Sequence, residues 1–262
     1  MKHVVMYSGG IGSWFAAYRV IQEYGPGDVT LLFADTQMED EDLYRFLTDS
    51  ECLFGMTITR IADGRDIWEV FRDKKFLGNS RIDPCSKILK RDLMRKWLVD
   101  HCDPSDTITY VGYEWTEAHR IERAARYWTP WVVRSPAALP PYVSKQEMLD
   151  LARDLGCAPP RLYDMGFAHN NCGGGCVKAG ISAFAMLLDR LPARYQVWED
   201  HEQELRDQLG DVAILTDRSG GDRVPLTLRT LRERIEKAAP LPMFDFGGCA
   251  CMEDPEEETT RD

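Results

Sequence analysis

Three groups of residues in this chain have the types and spacing to do chemistry. The first is Ser8-Gly9-Gly10-Ile11-Gly12-Ser13, which follows directly on the apolar run 4–7. A glycine turn between a strand and a helix directs backbone N–H groups at an anion, and Ser8 and Ser13 add hydroxyl donors. The second group is cationic. Lys87, Lys90 and Arg91 could meet phosphate or sulfate, and so could Arg120, whose rigid fork suits an oxyanion. The third group is thiols. Cys172 and Cys176 flank three glycines, Cys249 and Cys251 form a second close pair, and Cys85 falls in the first turn of an expected helix, where the helix dipole favours thiolate. These five sulfurs exceed what a four-ligand site needs. Zinc and an iron–sulfur cluster both suit them, and a redox thiol pair or a local disulfide are the competing readings.

These residues need elements to position them. The spacing predicts a βαβ unit: a strand over 4–7, a helix over 14–24, and a strand over 29–34 that ends in Asp35-Thr36. Asp40 reads as the N-cap of a helix over 41–54, a role that also accounts for Glu39 through the helix dipole. A strand over 56–61 and a short helix over 66–71 follow. Pro84 fits the start of a helix running past Leu98, carrying Cys85 and the three cations in its first turns. A strand over 107–113 leads to a helix ending at Tyr127. Glu117 and Arg120 lie there at i and i+3, either as an intrahelical ion pair or with Arg120 turned to a phosphate. A short strand over 131–133 and a helix opened by the capping box Ser144 to Glu147 complete this part. Beyond it come helices over 177–191 and 193–209, a strand over 212–216 and, introduced by Pro225, a helix over 226–237. The expected fold is α/β, a twisted parallel sheet with helices on both faces, with a smaller helical, cysteine-containing C-terminal part. The expected division is 1–160, 161–252 and an acidic disordered tail, 253–262.

The glycine loop is neither a Walker A sequence nor a dinucleotide fingerprint. Ser8-Gly9-Gly10-x-x-Ser13 resembles the pyrophosphate loop of the adenine-nucleotide alpha-hydrolase superfamily, which includes the N-type ATP pyrophosphatases and the phosphoadenylyl-sulfate (PAPS) reductases. Phe33-Ala34-Asp35-Thr36-x-x-Glu39-Asp40 is similar to the second signature of that group, at an edge that holds the adenosine partly through backbone groups. Cys85-Ser86-x-x-x-Lys90 and Gly112-x-x-x-x-Glu117-x-x-Arg120 are similar to two more segments. The stretch Tyr163-x-x-Gly166-Phe167-x-x-Asn170-x-Cys172-x-x-x-Cys176 resembles a branch of PAPS-reductase-like proteins that includes a lineage found beside type IV CRISPR systems and in phages.

The resemblance implies an ATP–Mg²⁺ site with Ser8, Gly9, Gly10, Gly12 and Ser13 on the phosphates. Asp35, Thr36, Gly112 and Glu117 would lie around the nucleotide, with Lys87, Lys90 and Arg120 as catalytic cations. It implies cleavage at the α-phosphate, adenylylation of an acceptor such as tRNA or another nucleic acid, and sulfur transfer if the cysteines hold a cluster or persulfide. A PAPS reductase using Cys249 or Cys251, and a non-catalytic nucleotide-binding accessory protein of a defence complex, are the alternatives. Two departures stand out. Gly12 occupies the place where the loop usually has Asp, and the C-terminal Gly-Gly-Cys-Ala-Cys lacks the reductase's Glu-Cys-Gly-x-His setting.

Composition bounds the rest. The 262 residues are 44% hydrophobic and 29% charged, as in an ordinary globular chain. No apolar run approaches the ~20 residues that span a bilayer. Met1-Lys2-His3 leads straight into a strand, which predicts no signal peptide, a cytoplasmic location and reduced thiols. The net charge of −11 argues against a broad nucleic-acid-binding surface and leaves room for a local basic groove. A single chain and a homodimer are both compatible with this reading.

Overall fold

The computed structural model describes residues 1–218, 222–237 and 252. Its centre is a five-stranded, all-parallel sheet: β1 (Lys2–Met6), β2 (Val29–Asp35), β3 (Ile58–Ala62), β4 (Thr107–Tyr110) and β5 (Val132–Arg134), in spatial order β3-β2-β1-β4-β5. The expected α/β class is therefore the observed one. Residues of one strand alternate between faces. Val5, Tyr7, Leu31 and Phe33 enter one core cluster, and their neighbours Val4, Met6, Leu32 and Ala34 enter another. Both faces are buried, which is why the strands read as unbroken apolar runs.

The helices are α1 (Ile11–Tyr24), α2 (Glu41–Phe54), α3 (Ile67–Lys74), a turn α4 (Pro84–Ser86), α5 (Leu93–His101), α6 (Ala118–Trp128), α7 (Lys145–Asp154), a turn α8 (Arg161–Asp164), α9 (Ile181–Arg190), α10 (Pro192–Leu209) and α11 (Leu228–Glu236). The first core cluster holds Trp14 and Val20 of α1, Phe46 of α2 and Met148 of α7. The second holds Met94 and Leu98 of α5 and Trp128 of α6. Local chemistry sets the boundaries. Asp40 caps α2 by accepting from the Asp42 N–H at 3.0 Å, and Gly55 closes that helix in the left-handed region. Asp66–Glu69 and Ser144–Glu147 form reciprocal capping boxes.

A third apolar cluster joins Trp68, Phe71, Cys85 and Leu89 to Cys172, Cys176, Phe184, Trp198 and Leu231. The chain beyond residue 160 thus shares a core with α3 and the Cys85 segment. Glu202 of α10, buried there, accepts from the Ile214 and Leu228 N–H groups at 3.0 and 2.6 Å, tying the loop before β6 (Leu215–Asp217) and the start of α11 to one carboxylate.

Several expected boundaries move. The helix expected from Pro84 past Leu98 is interrupted by a π-helical segment, Lys87–Asp92, in which Lys87 reaches its i+5 neighbour Asp92 at 2.7 Å. The strand expected over 212–216 lies at Leu215–Asp217, and Pro225, expected to introduce a helix, sits inside its antiparallel partner β7 (Val224–Leu226). Helix α9 begins at Ile181, not 177. The expected tail, 253–262, lies outside the described residues. None of the described helices is long and apolar enough to cross a membrane.

Candidate functional site

The sheet order reverses between β1 and β4, and a crevice opens there beyond the strands' C-terminal ends. The cleft has a volume of about 150 Å³. Its floor is the Ser8–Ser13 loop and the ends of β1 and β4. Lys90, Glu114, Glu117, Arg120, Lys145, Tyr163 and residues 169–171 supply its walls.

The loop is tied by its own hydroxyls. Ser8 N–H donates to Ser13 Oγ at 3.1 Å, Ser13 Oγ donates to Gly10 O at 2.8 Å, and Gly10 N–H reaches Ser8 Oγ at 3.4 Å. Gly9 adopts φ +74° against Leu43 and faces away from the cleft lining. Gly12 is fixed by a different constraint. A Cβ there would stand 2.4 Å from the Gly112 carbonyl oxygen, and a Cβ on Gly112 would stand 2.3 Å from Ser13 N. Helix α1 therefore packs backbone to backbone on the segment just past β4, and this packing has no room for a side chain at position 12.

The positive end of α1 meets a tyrosine. Ile11 N–H donates to Tyr163 Oη at 3.0 Å, across 152 residues of sequence. The Lys145 ammonium lies 5.3 Å from the centre of that ring and donates to Ala168 O. Burial pulls the Lys145 pKa down, against the opposing pull of Glu114 and Glu117. Burial, then the Glu117 charge, push Glu114 up. Lys145 was not among the expected cations. The signal for it was a lysine in the first turn of a capped helix, where a cation opposes the dipole.

Arg120 pairs with Glu117, and its guanidinium stacks 4.2 Å from the Tyr113 ring centre. It makes the intrahelical ion pair and lines the cleft as well. Lys90 is buried with its ammonium 3.3 Å from Glu39 Oε1. Glu39, whose side chain is only 2% exposed, also accepts from Thr36 Oγ1 at 3.1 Å and from Cys172 N–H at 2.8 Å. The capping role falls to Asp40 alone. Glu39 instead joins the end of β2 to the cysteine loop. Burial raises the Asp40 pKa, but hydrogen bonds from Arg161 and Arg194 outweigh it and hold the carboxyl below its usual range. Arg194 also donates to Gly173 O at 2.8 Å, so the same acid anchors the loop.

The other expected residues are placed as follows. Lys87 points out, 60% exposed, because the π-helical register turns it to Asp92. Arg91 is buried over the Tyr127 ring, 5.4 Å from its centre. Asp35 accepts from Tyr44 Oη at 3.0 Å and from Gln37 N–H at 2.8 Å, and Thr36 is buried on Glu39. Neither residue lines the cleft, whereas their neighbour Ala34 does. Cys85, Cys172 and Cys176 are buried in the third apolar cluster. Lys178 reaches Asp83 at 3.6 Å, which brings the Cys85 segment beside the cysteine loop. Among the described residues no three potential ligands gather into a metal site. Cys249 and Cys251 lie outside the described residues. Cys172 itself stands at φ +48°, a rare conformation for a side-chain-bearing residue.

No family model matches the chain. It is 23% identical over 209 residues to an uncharacterized protein of Methanocaldococcus jannaschii, covering 78% of this chain and 42% of that protein, so it spans less than half the length of this relative. Two solved structures are similar at low level. One is the U34-tRNA thiolase of Methanococcus maripaludis with its 4Fe–4S cluster, at 15% identity and TM-score 0.46, covering 79% of this chain and 73% of that one. The other is the NH₃-dependent NAD synthetase of Campylobacter jejuni, at 12% identity and TM-score 0.42, covering 79% and 83%. None of the three is described as part of a CRISPR system or a phage.

Proposed function

We propose that the chain is a PP-loop enzyme of the adenine-nucleotide alpha-hydrolase superfamily that binds ATP in this cleft and cleaves it at the α-phosphate, releasing pyrophosphate and adenylylating an acceptor. One observation carries the reading. The Ser8–Ser13 loop opens from the N-terminus of α1 at the switch point of a parallel sheet, into a cleft lined by three cationic side chains, Lys90, Arg120 and Lys145. The triphosphate lies along the loop and the start of α1. The hydroxyls of Ser8 and Ser13 turn from their bonds within the loop to donate to it, and the three cations balance its charge. An acceptor oxygen attacks the α-phosphorus, and the bond to the bridging oxygen breaks. Pyrophosphate leaves with the electron pair, stabilised by the same cations. Catalysis of this kind is positioning and charge neutralisation.

Mg²⁺ bound with the nucleotide would neutralise negative charge on the leaving pyrophosphate. Position 12 offers it no carboxylate. Glu114 and Glu117, neighbouring acids in the cleft, are the residues that would hold it, where a cation would offset the burial and, second to it, the Glu117 charge that push Glu114 up. Among the described residues the cleft lining includes no thiol. Adenylylation is the step assigned to the cleft, and no sulfur transfer is routed through Cys85, Cys172 or Cys176.

The test is product analysis with ATP labelled at the α-phosphate. Label on an adenylylated acceptor, or on AMP where water is the acceptor, with pyrophosphate released and both lost in Arg120→Ala and Lys145→Ala, supports the reading. ADP and phosphate, or sulfite release from PAPS, overturn it.

A further inference from the structure

Asn170 is 3% exposed, it lines the cleft, and neither its Nδ2 nor its Oδ1 has a hydrogen-bond partner among the described residues. Orphaned buried amide atoms are costly, so a native fold keeps them where a ligand completes them. Asn170 is also held firmly. Two residues on, the Cys172 N–H bonds Glu39. Two residues back, Ala168 O accepts from Lys145. Met6, Ala34, Met94 and Val111 give the same cleft apolar walls. A flat aromatic body between those walls, with its edge toward Asn170, would bury apolar faces and complete both amide atoms.

We propose that Asn170 is a specificity-determining residue that reads the nucleobase of the bound nucleotide and selects adenine over guanine. The proposal rests on the nucleotide-binding reading above. A carboxamide presents one donor beside one acceptor. Adenine offers a matching acceptor and donor at N7 and N6. Guanine offers two acceptors, N7 and O6, and leaves one amide atom facing a like partner. Asn170 lies far from both ends of the described chain, on the segment between α8 and the cysteine loop. Base identity would thus be read by the C-terminal part, and phosphate by the N-terminal loop.

The experiment is calorimetric titration of the full chain with Mg–ATP, Mg–GTP and inorganic triphosphate, for wild type, Asn170→Leu and Asn170→Ala. Wild type should prefer ATP over GTP by roughly tenfold or more. Both variants should reduce that preference to about twofold, with triphosphate affinity changed by less than about twofold. Thermal midpoints give a second reading. Removal of an orphaned amide should leave the ligand-free midpoint of Asn170→Leu level or higher. Preference retained in both variants, no preference in wild type, or a marked fall in the ligand-free midpoint would each overturn the assignment. If triphosphate binds and base selectivity does not change, this inference alone fails. If neither nucleotide nor triphosphate binds, the nucleotide-binding reading fails with it.

Discussion

Gly12→Ala puts the packing of the loop helix to a test in which the sign of the effect decides. Position 12 lies in the first turn of α1. By helix propensity alone, alanine there should stabilise by about 1 kcal/mol. The structure argues the opposite. The new Cβ would stand 2.4 Å from the Gly112 carbonyl oxygen, a backbone atom at the end of a central strand that no rotamer change can move. Overpacking typically costs about 1–3 kcal/mol, and a backbone neighbour places this case at the upper end. The net expectation is a loss of about 2 kcal/mol. For a chain of this size that lowers the thermal midpoint by about 4–8 °C and moves the urea midpoint down at unchanged slope. Gly112→Ala should behave alike, since its Cβ would meet Ser13 N at 2.3 Å. The two substitutions press on one contact, so the double variant should lose less than the sum of the single losses. A Gly12→Ala protein as stable as wild type, or more stable, would refute the close approach of α1 to the end of β4 and the explanation of why position 12 is glycine.

Other predictions follow from buried charges. Burial raises the Glu202 pKa to about 7. The folded state then binds more protons than the unfolded one between about pH 4.5 and 7, so stability falls across that window as pH rises, by about 3 kcal/mol in all. Glu202→Gln should remove this part of the slope, which urea titrations at several pH values would measure. Asp40→Asn leaves Arg161 and Arg194 facing a neutral amide in a buried position and should cost about 3 kcal/mol by denaturation. Because Asp40 is held below its usual range, its contribution in wild type is present above the ordinary carboxylate range and is lost as pH falls through the folded-state value. Lys145→Met should weaken Mg–ATP binding by roughly tenfold or more while leaving the thermal midpoint within a few degrees.

Much of the frame was readable because it is local. The Ser-Gly-Gly turn between two apolar runs gives β1–α1–β2 directly, and the caps at Asp40 and Ser144 sit where their residue types put them. What was hidden is long-range. The π-helical register that turns Lys87 away from the cleft and carries Lys90 onto Glu39 is not implied by any i, i+4 pattern in 84–98. Tyr163 reaches α1 from 152 residues away. Lys145 looked like part of a capping box until the fold set it over Tyr163. Gly12 read as a lost carboxylate, whereas its reason lies in Gly112, a hundred positions later. Pro225 suggested a helix start because an edge strand with one partner, which tolerates proline, leaves no mark of its own in the sequence.

The most direct measurement is a side-by-side calorimetric titration of anaerobically purified protein with Mg–ATP and with PAPS. The account predicts ATP binding that Lys145→Met and Arg120→Gln weaken, and little or no heat from PAPS. A preference for PAPS of tenfold or more, about 1.4 kcal/mol, would contradict it and move attention to Cys249 and Cys251.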